Sequence, residues 1–298
     1  MANTTRSSAS SEHARRLRLV LFVTLAVMFL EVVAGVASGS LALLADAGHM
    51  FTDVAGIGLA LMAIGFASRP ASSGRTYGWY RLEILAAVVN AFLLFGVSAF
   101  VLIEAYRRFS EPPSVESGLM LVVAIVGLAA NGLSAALLLP AQRDSLNMRG
   151  AYLEVLGDFL GSGAVIIAAI VIAVTGFERA DPIASAIIGL LILPRTWRLL
   201  KEAVDVLLEA TPKDVDLEEV RRHIEETPGV WGVHDLHAWT ITSGMNVVSA
   251  HVVLTQNAEA SRVLNSLCEC LSGDFDIEHS TFQLETTDRR RIEEHAHE

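Results

Sequence analysis

The chain of 298 residues is 52% hydrophobic with a mean hydropathy of +0.48, too apolar for an ordinary soluble domain. Its net charge of −11 is unevenly placed: residues 1–204 carry 14 acidic and 15 basic side chains, residues 205–298 carry 19 and 7. A nearly neutral apolar part followed by an acidic one excludes a single soluble domain and argues against nucleic acid as a partner, while a total of two cysteines excludes a disulfide framework.

In chain order, Arg15, Arg16 and Arg18 precede an apolar run from Leu19 to Leu30. That start imitates a signal peptide, but the membrane pattern continues beyond it, so it reads as the first span. Apolar stretches at 19–38, 41–66, 84–105, 117–139, 151–176 and 182–200 approach or exceed the roughly 20 residues that cross a bilayer, which predicts six transmembrane helices. Polar or Pro- and Gly-bearing joints separate them, the tightest at Ser38-Gly39-Ser40. Twelve basic residues near helix ends fall on the side of the N-terminus, against Arg107, Arg108 and Arg179 on the other. The positive-inside tendency therefore puts both termini in the cytoplasm of a multi-pass protein, expected in the cell (inner) membrane with the lipid bilayer around it.

Ionisable residues inside these spans demand an explanation, since one charge at the bilayer centre costs about 2.5 to 3.5 kcal/mol. In the second span His49 and Asp53 stand four apart, in the fifth Glu154 and Asp158 do the same, and each pair leaves one helix face about a turn apart. Two such helices side by side offer one imidazole and three carboxylates, a set that suits a tetrahedral Zn2+ site with bonds of about 2.0 to 2.2 Å. Gly157 and Gly161 form a small-xxx-small pair that lets another helix approach. Without metal, three mutually repelling carboxylates in an apolar setting are expected to hold protons, so His49, Asp53, Glu154 and Asp158 would couple metal movement to proton movement by competition for the same lone pairs. Asp46 shares the stripe of His49 and Asp53 and reads as a residue behind the ligands. Glu31, Asn90 and Asn131 read as interhelical hydrogen-bonders, with proton relay an alternative for Glu31 and Asp46.

The acidic part reads as a small α/β unit: a helix capped at Asp216 and ending before Pro228, strands at Val230–Thr242 and Met245–Thr255, a helix at Ala258–Leu271 and a strand at Asp276–Thr286. Helix, strand, strand, helix, strand suggests an open-faced, ferredoxin-like sheet. His234 and His237, three apart on one strand, should face opposite ways, which leaves His234 and His251 on adjacent strands as the better metal pair. Cys268 and Cys270 read as packing residues, and His295 and His297 as part of a C-terminal tail.

Several motifs in order resemble the cation diffusion facilitator family, in its zinc-transporter branch: SLALLADAGHMFTD from Ser40 to Asp53, YGWYRLE from Tyr77 to Glu83, EPP from Glu111, GAYLEVLGDFLGS from Gly150 to Ser162, VHDLHAW from Val233 to Trp239 and HSTFQLE from His279 to Glu285. The resemblance covers about residues 19–286. It implies a homodimeric exporter that trades cytoplasmic divalent metal for protons, with Zn2+ as substrate and no resident cofactor other than a structural or regulatory ion. Its transport site falls on His49, Asp53, Glu154 and Asp158, and a second, cytoplasmic site on His234, His251, His279 and Glu285. The branch usually has His where this chain has Glu154, which hardens the site and opens it to Cd2+, Co2+, Mn2+ or Fe2+. The histidine-rich loop many relatives carry before the fifth span is replaced by a histidine-free Gln142–Gly150, and Trp79 and Tyr80 stand where some relatives have a His ligand. The implied division is a tail at 1–18, a membrane domain at 19–204, a cytoplasmic metal-binding and dimerisation domain at 205–288 and a tail at 289–298. An intramembrane metallohydrolase is the alternative from another class, but no His-Glu-x-x-His occurs and four bound ligands leave no position for water; a membrane metal sensor is the third reading.

Overall fold

Six long helices follow one another in the computed structural model, which describes residues 2–67, 69–140, 146–277 and 279–287. They are α1 (Ala2–Ser38), α2 (Leu41–Ala67), α3 (Leu82–Ser110), α4 (Ser117–Leu138), α5 (Leu146–Thr175) and α6 (Ala180–Leu207). Arg18–Ser38 of α1, Tyr152–Thr175 of α5 and the whole of α3, α4 and α6 are long and apolar enough to cross a membrane. Helix α2, with 27 residues and a length of about 40 Å, is long enough but interrupts its apolar run with Asp46, His49 and Asp53. The predicted tail around His295 and His297 and residues 142–145 of the predicted loop Gln142–Gly150 lie outside the described residues, while the rest of that loop is the first turn of α5.

The chain forms two compact units, Met1–Ala60 with Val89–Leu199 and Leu61–Val88 with Leu200–Glu298. In the first, the core joins Leu94 and Val101 of α3, Met120 and Val123 of α4, Val165 and Ile172 of α5, and Ile188 and Ile192 of α6. One end of this bundle is tied together by hydrogen bonds. Gly39, at φ +73°, makes the tight turn between α1 and α2, and its carbonyl accepts from Arg108 Nη1 at 2.7 Å. The fully buried Asp181, at the start of α6, accepts from Ser40 Oγ at 2.6 Å and from the Leu41 and Ala42 amides at 2.8 and 3.1 Å. A carboxylate from a distant helix thus satisfies the first turn of α2 and complements its dipole, fixing the depth of the helix that carries His49 and Asp53.

In the second unit, α7 (Leu217–Glu226), β1 (Val230–Thr242), β2 (Met245–Leu254), α8 (Ala260–Asp274) and β3 (His279–Glu285) follow the predicted order. Asp216 caps α7 by accepting from the Glu218 and Glu219 amides. The sheet runs β1-β2-β3, with β1 and β2 antiparallel and β2 and β3 parallel. Val220 and Ile224 of α7 and Val263, Leu267 and Leu271 of α8 cover one face of it. Glu83, from the YGWYRLE run, accepts hydrogen bonds from the hydroxyls of Thr242 and Ser243 at the β1–β2 turn, and Arg81 pairs with Glu209 at 2.7 Å. Trp79 lies against Phe66 with the Arg75 guanidinium 3.9 Å above its ring.

Two local expectations are corrected. Cys268 and Cys270 do not pack into the core: residues 263, 267 and 271 of α8 point inward, leaving Cys268 exposed beside the Ser280 hydroxyl and Cys270 half-buried beside Asp274. Partial burial and the adjacent Asp274 carboxylate push the Cys270 thiol above its ordinary pKa. Nor do His234 and His237 face opposite ways. The β1–β2 register steps from His234↔His251 to His237↔Ser249, three residues against two, and Asp235 takes a left-handed φ of +47°. This bulge returns His237 to the face that carries His251.

Candidate metal sites

In the membrane unit, the i, i+4 spacing of α2 and the approach of α5 bring His49, Asp53 and Asp158 together. One ligand atom from each lies within 4.8 Å of the other two. His49 Nε2 is 3.4 Å from Asp53 Oδ2 and 3.7 Å from Asp158 Oδ1. A tetrahedron with bonds of about 2.0 to 2.1 Å has edges of about 3.3 to 3.4 Å, so these separations match the spacing of ligands around one ion. Asp53 Oδ2, Asp158 Oδ1 and His49 Nδ1 are buried without a hydrogen-bond partner, an expensive arrangement unless something positive sits between the oxygens.

Glu154, the fourth predicted ligand, is turned aside. Its Oε1 pairs with Arg195 of α6 at 3.0 Å, although it stays within reach of a side-chain hydrogen bond with Asp53. Arg195 follows Pro194, whose missing amide leaves the Leu190 carbonyl without its helical donor. A cavity of about 260 Å³ opens here, lined by Asp53, Asn90, Glu154, Arg195 and Thr196. A second of about 100 Å³ is lined by Thr24, Asp53, Glu154 and Asp158 among apolar side chains. Asn90 approaches the backbone of α2 at Gly56, where a Cβ would sit 2.7 Å from its amide nitrogen.

Asp46 is buried and not among the clustered ligands. Its Oδ2 accepts from Ser162 Oγ at 3.3 Å, and its Oδ1 lies against Gly161, where an added Cβ would sit 2.9 Å away. The close approach predicted for the glycine pair is therefore made at Gly161, while Gly157 has open space around it.

In the second unit, His234, His251 and Glu285 also converge within 4.8 Å. His234 Nε2 is 3.2 Å from Glu285 Oε2, His251 Nδ1 is 3.2 Å from Glu285 Oε1, and the two rings meet edge to face at 5.0 Å. The register explains this: His234 lies opposite His251 on β2, and Glu285 on β3 lies beside Val253, two residues along. Asp235 Oδ2 stands 3.9 Å from both imidazoles. His279 is not part of the group. It is exposed at the start of β3, six residues or about 20 Å from Glu285. His237 instead lines an open cavity of about 420 Å³ beside His251, with Asp235, Ser249, Thr281 and Gln283.

Sequence reasoning missed Asp181, which caps α2 from 140 residues away, and the pairing of Glu154 with Arg195, one of the twelve basic residues near helix ends. Pro194 beside Arg195 was the available signal.

Comparison with known proteins places two family models on the chain: the cation efflux transmembrane domain at residues 17–208 and the cation efflux protein cytoplasmic domain at residues 212–287. The chain is 50% identical over 273 residues to the metal cation efflux system protein CzcD of Cupriavidus metallidurans, covering 91% of this chain and 86% of that one. It is 44% identical over 275 residues to the zinc transporter ZitB of Escherichia coli, covering 92% and 88%. To the cadmium, cobalt and zinc/H(+)-K(+) antiporter of Bacillus subtilis it is 39% identical over 278 residues, covering 91% and 89%.

Proposed function

The chain belongs to the cation diffusion facilitator family as a multi-pass divalent metal efflux transporter, and from that premise we propose that it exchanges Zn2+ for protons at a site made by His49, Asp53, Glu154 and Asp158. The observation that carries this reading is the pair of distances from His49 Nε2 to Asp53 and Asp158, with the facing oxygens buried and unpartnered. Zinc enters from the cytoplasm, displaces the protons held by the carboxylates, and is released when protons return from the other side. Glu154 completes the tetrahedron once Arg195 lets it go, so the guanidinium and the metal compete for one carboxylate. A third carboxylate in place of a second imidazole makes the site harder, which weakens its preference for Zn2+ over harder ions such as Mn2+ and Fe2+, and the name of the Bacillus subtilis relative adds cadmium and cobalt to zinc.

The protein acts as a homodimer in the cell (inner) membrane with both termini in the cytoplasm, divided as a tail at 1–18, a membrane domain at 19–204, a cytoplasmic domain at 205–288 and a tail at 289–298. The excess of basic residues at one set of helix ends supports that orientation. His234, His251 and Glu285 bind metal on the cytoplasmic side and tighten the dimer. Two imidazoles and one carboxylate carry less repulsion than the membrane set, which suits an ion that is retained.

The test is zinc uptake into inside-out liposomes holding the purified protein, with and without an imposed pH gradient. Uptake should rise when the lumen is made acidic and be absent in His49→Ala. Indifference of wild type to the gradient overturns antiport, and uptake by His49→Ala overturns the site.

A further inference from the structure

Deeper in the bundle, one carboxylic acid is left unexplained by metal binding. Glu31 of α1 is 0% exposed, and among the described residues neither of its oxygens has a hydrogen-bond partner. An ionised carboxylate in that setting is far more costly than one at a surface, so it must be neutralised by something that arrives there. The charged groups facing it are Asp46 of α2 and Asp158 of α5, and α4 presents Gly127 and Asn131. Among the described residues no basic side chain is one of them, so protein charge does not do the neutralising.

Glu31, Ser162 and Asp46 form a row that leads toward Asp158. Glu31 Oε1 and Ser162 Oγ both face the place where a Cβ on Gly127 would sit, at 2.8 and 3.4 Å, which bounds their separation at about 6 Å, a gap that one water bridges. Ser162 Oγ donates to Asp46 Oδ2 at 3.3 Å and lies 3.4 Å from Asn131 Nδ2. Asp158 precedes Ser162 by one turn of α5. The row therefore runs from the metal ligands toward the α1–α2 turn, and Glu31 lies seven residues, about 10 Å, from Ser38 at that end. Neither Glu31 nor Asp46 belongs to the cluster that His49, Asp53 and Asp158 form.

We propose that Glu31 and Asp46, joined through Ser162, are a proton-holding relay between the α1–α2 end of the bundle and Asp158, separate from the groups that bind metal. The assignment rests on the four-residue transport site proposed above. A proton arriving from outside the cytoplasm adds to the Glu31 carboxylate. The Ser162 hydroxyl accepts it through water and gives up its own proton to Asp46. Asp46 then passes a proton to Asp158 as the metal leaves, and the next zinc from the cytoplasm displaces that proton. One proton enters and one leaves, with no bond to metal made or broken in the relay.

Two kinds of flux distinguish the relay from the metal site. Net zinc uptake driven by a pH gradient needs protons to cross the protein, whereas exchange of internal zinc for labelled external zinc at uniform pH does not. In liposomes, Glu31→Gln should retain zinc-for-zinc exchange and lose gradient-driven uptake to the level of protein-free vesicles. His49→Ala should lose both. Gradient-driven uptake retained in Glu31→Gln overturns the relay, and so does loss of exchange in a variant that still elutes as a folded dimer, which would make Glu31 structural or a ligand. Exchange retained in His49→Ala overturns the transport site instead. If Glu31→Gln does not fold, Asp46→Asn carries the same two readings.

Discussion

The membrane cluster and the cytoplasmic cluster gather three similar side chains by opposite means and in opposite surroundings. On α2 and α5 the helical repeat does the gathering: His49 and Asp53 come from one face, and Asp158 meets them from the neighbouring helix. On the sheet the register does it, with His234 opposite His251 and Glu285 diagonal on the parallel strand. The membrane set has one imidazole and is ringed by further charges, Glu154 held by Arg195 on one side and Asp46 and Glu31 on the other. The cytoplasmic set has two imidazoles, with His234 and Glu285 about 2% exposed and His251 facing the 420 Å³ cavity. Crowded charge with a competing cation suits a place where an ion must be taken up and released; a quieter set on a rigid sheet suits one where it stays.

The largest effect expected from breaking this contrast is at Asp158. Asp158→Ala removes a buried charge partner from the membrane set, worth about 3 to 5 kcal/mol, so zinc flux in liposomes should fall by more than about a hundredfold while metal binding at the sheet is unchanged. Equal loss at both sites would show that the clusters are not independent.

A smaller effect is expected at Arg195. Its pair with Glu154 is partly exposed, at 48% and 32% for the two side chains, so screening limits its worth to about 1 kcal/mol. Arg195→Gln should tighten zinc binding by up to about fivefold and slow its release. In the background of Glu154→His, which removes the partner carboxylate, the same change should have little effect. Measured as a double-mutant cycle, additivity of the two changes would mean that Arg195 acts elsewhere.

At the sheet, His234→Ala with His251→Ala should abolish the binding of one zinc per chain and the zinc-dependent compaction of the dimer seen by X-ray scattering, while zinc flux at saturating substrate persists. Loss of flux with the fold intact would make the sheet part of the transport path. The smallest effect is expected at the α7 cap: Asp216→Ala should destabilise α7 by about 1 kcal/mol, read as faster hydrogen exchange at the Glu218 and Glu219 amides in the full chain.

What the sequence made legible follows from whether the physics was local. The helical pairs at 49 and 53 and at 154 and 158 have a fixed geometry once the apolar spans are seen, and the order of elements after residue 216 follows from caps, alternation and turn residues. The bulge at Asp235 was not legible, because strand spacing alone predicts that positions 234 and 237 diverge; pairing with β2 decides otherwise. Nor could spacing find the capping of α2 by Asp181 or the pairing of Glu154 with Arg195, since each joins residues from helices that meet only in the packed bundle. Glu31 was visible as an acid in an apolar span, but its complete burial without a partner depends on Gly127, which leaves room for it on α4.

The most direct test of the central claim, that metal and protons compete for one membrane site, is calorimetric titration of the His234→Ala/His251→Ala variant with zinc, so that the membrane site alone responds. Repeating it in buffers of different ionisation enthalpy counts the protons exchanged. One zinc bound per chain with release of at least one proton, both lost on adding Asp158→Ala, is the predicted result. Zinc binding with no proton exchanged would contradict it.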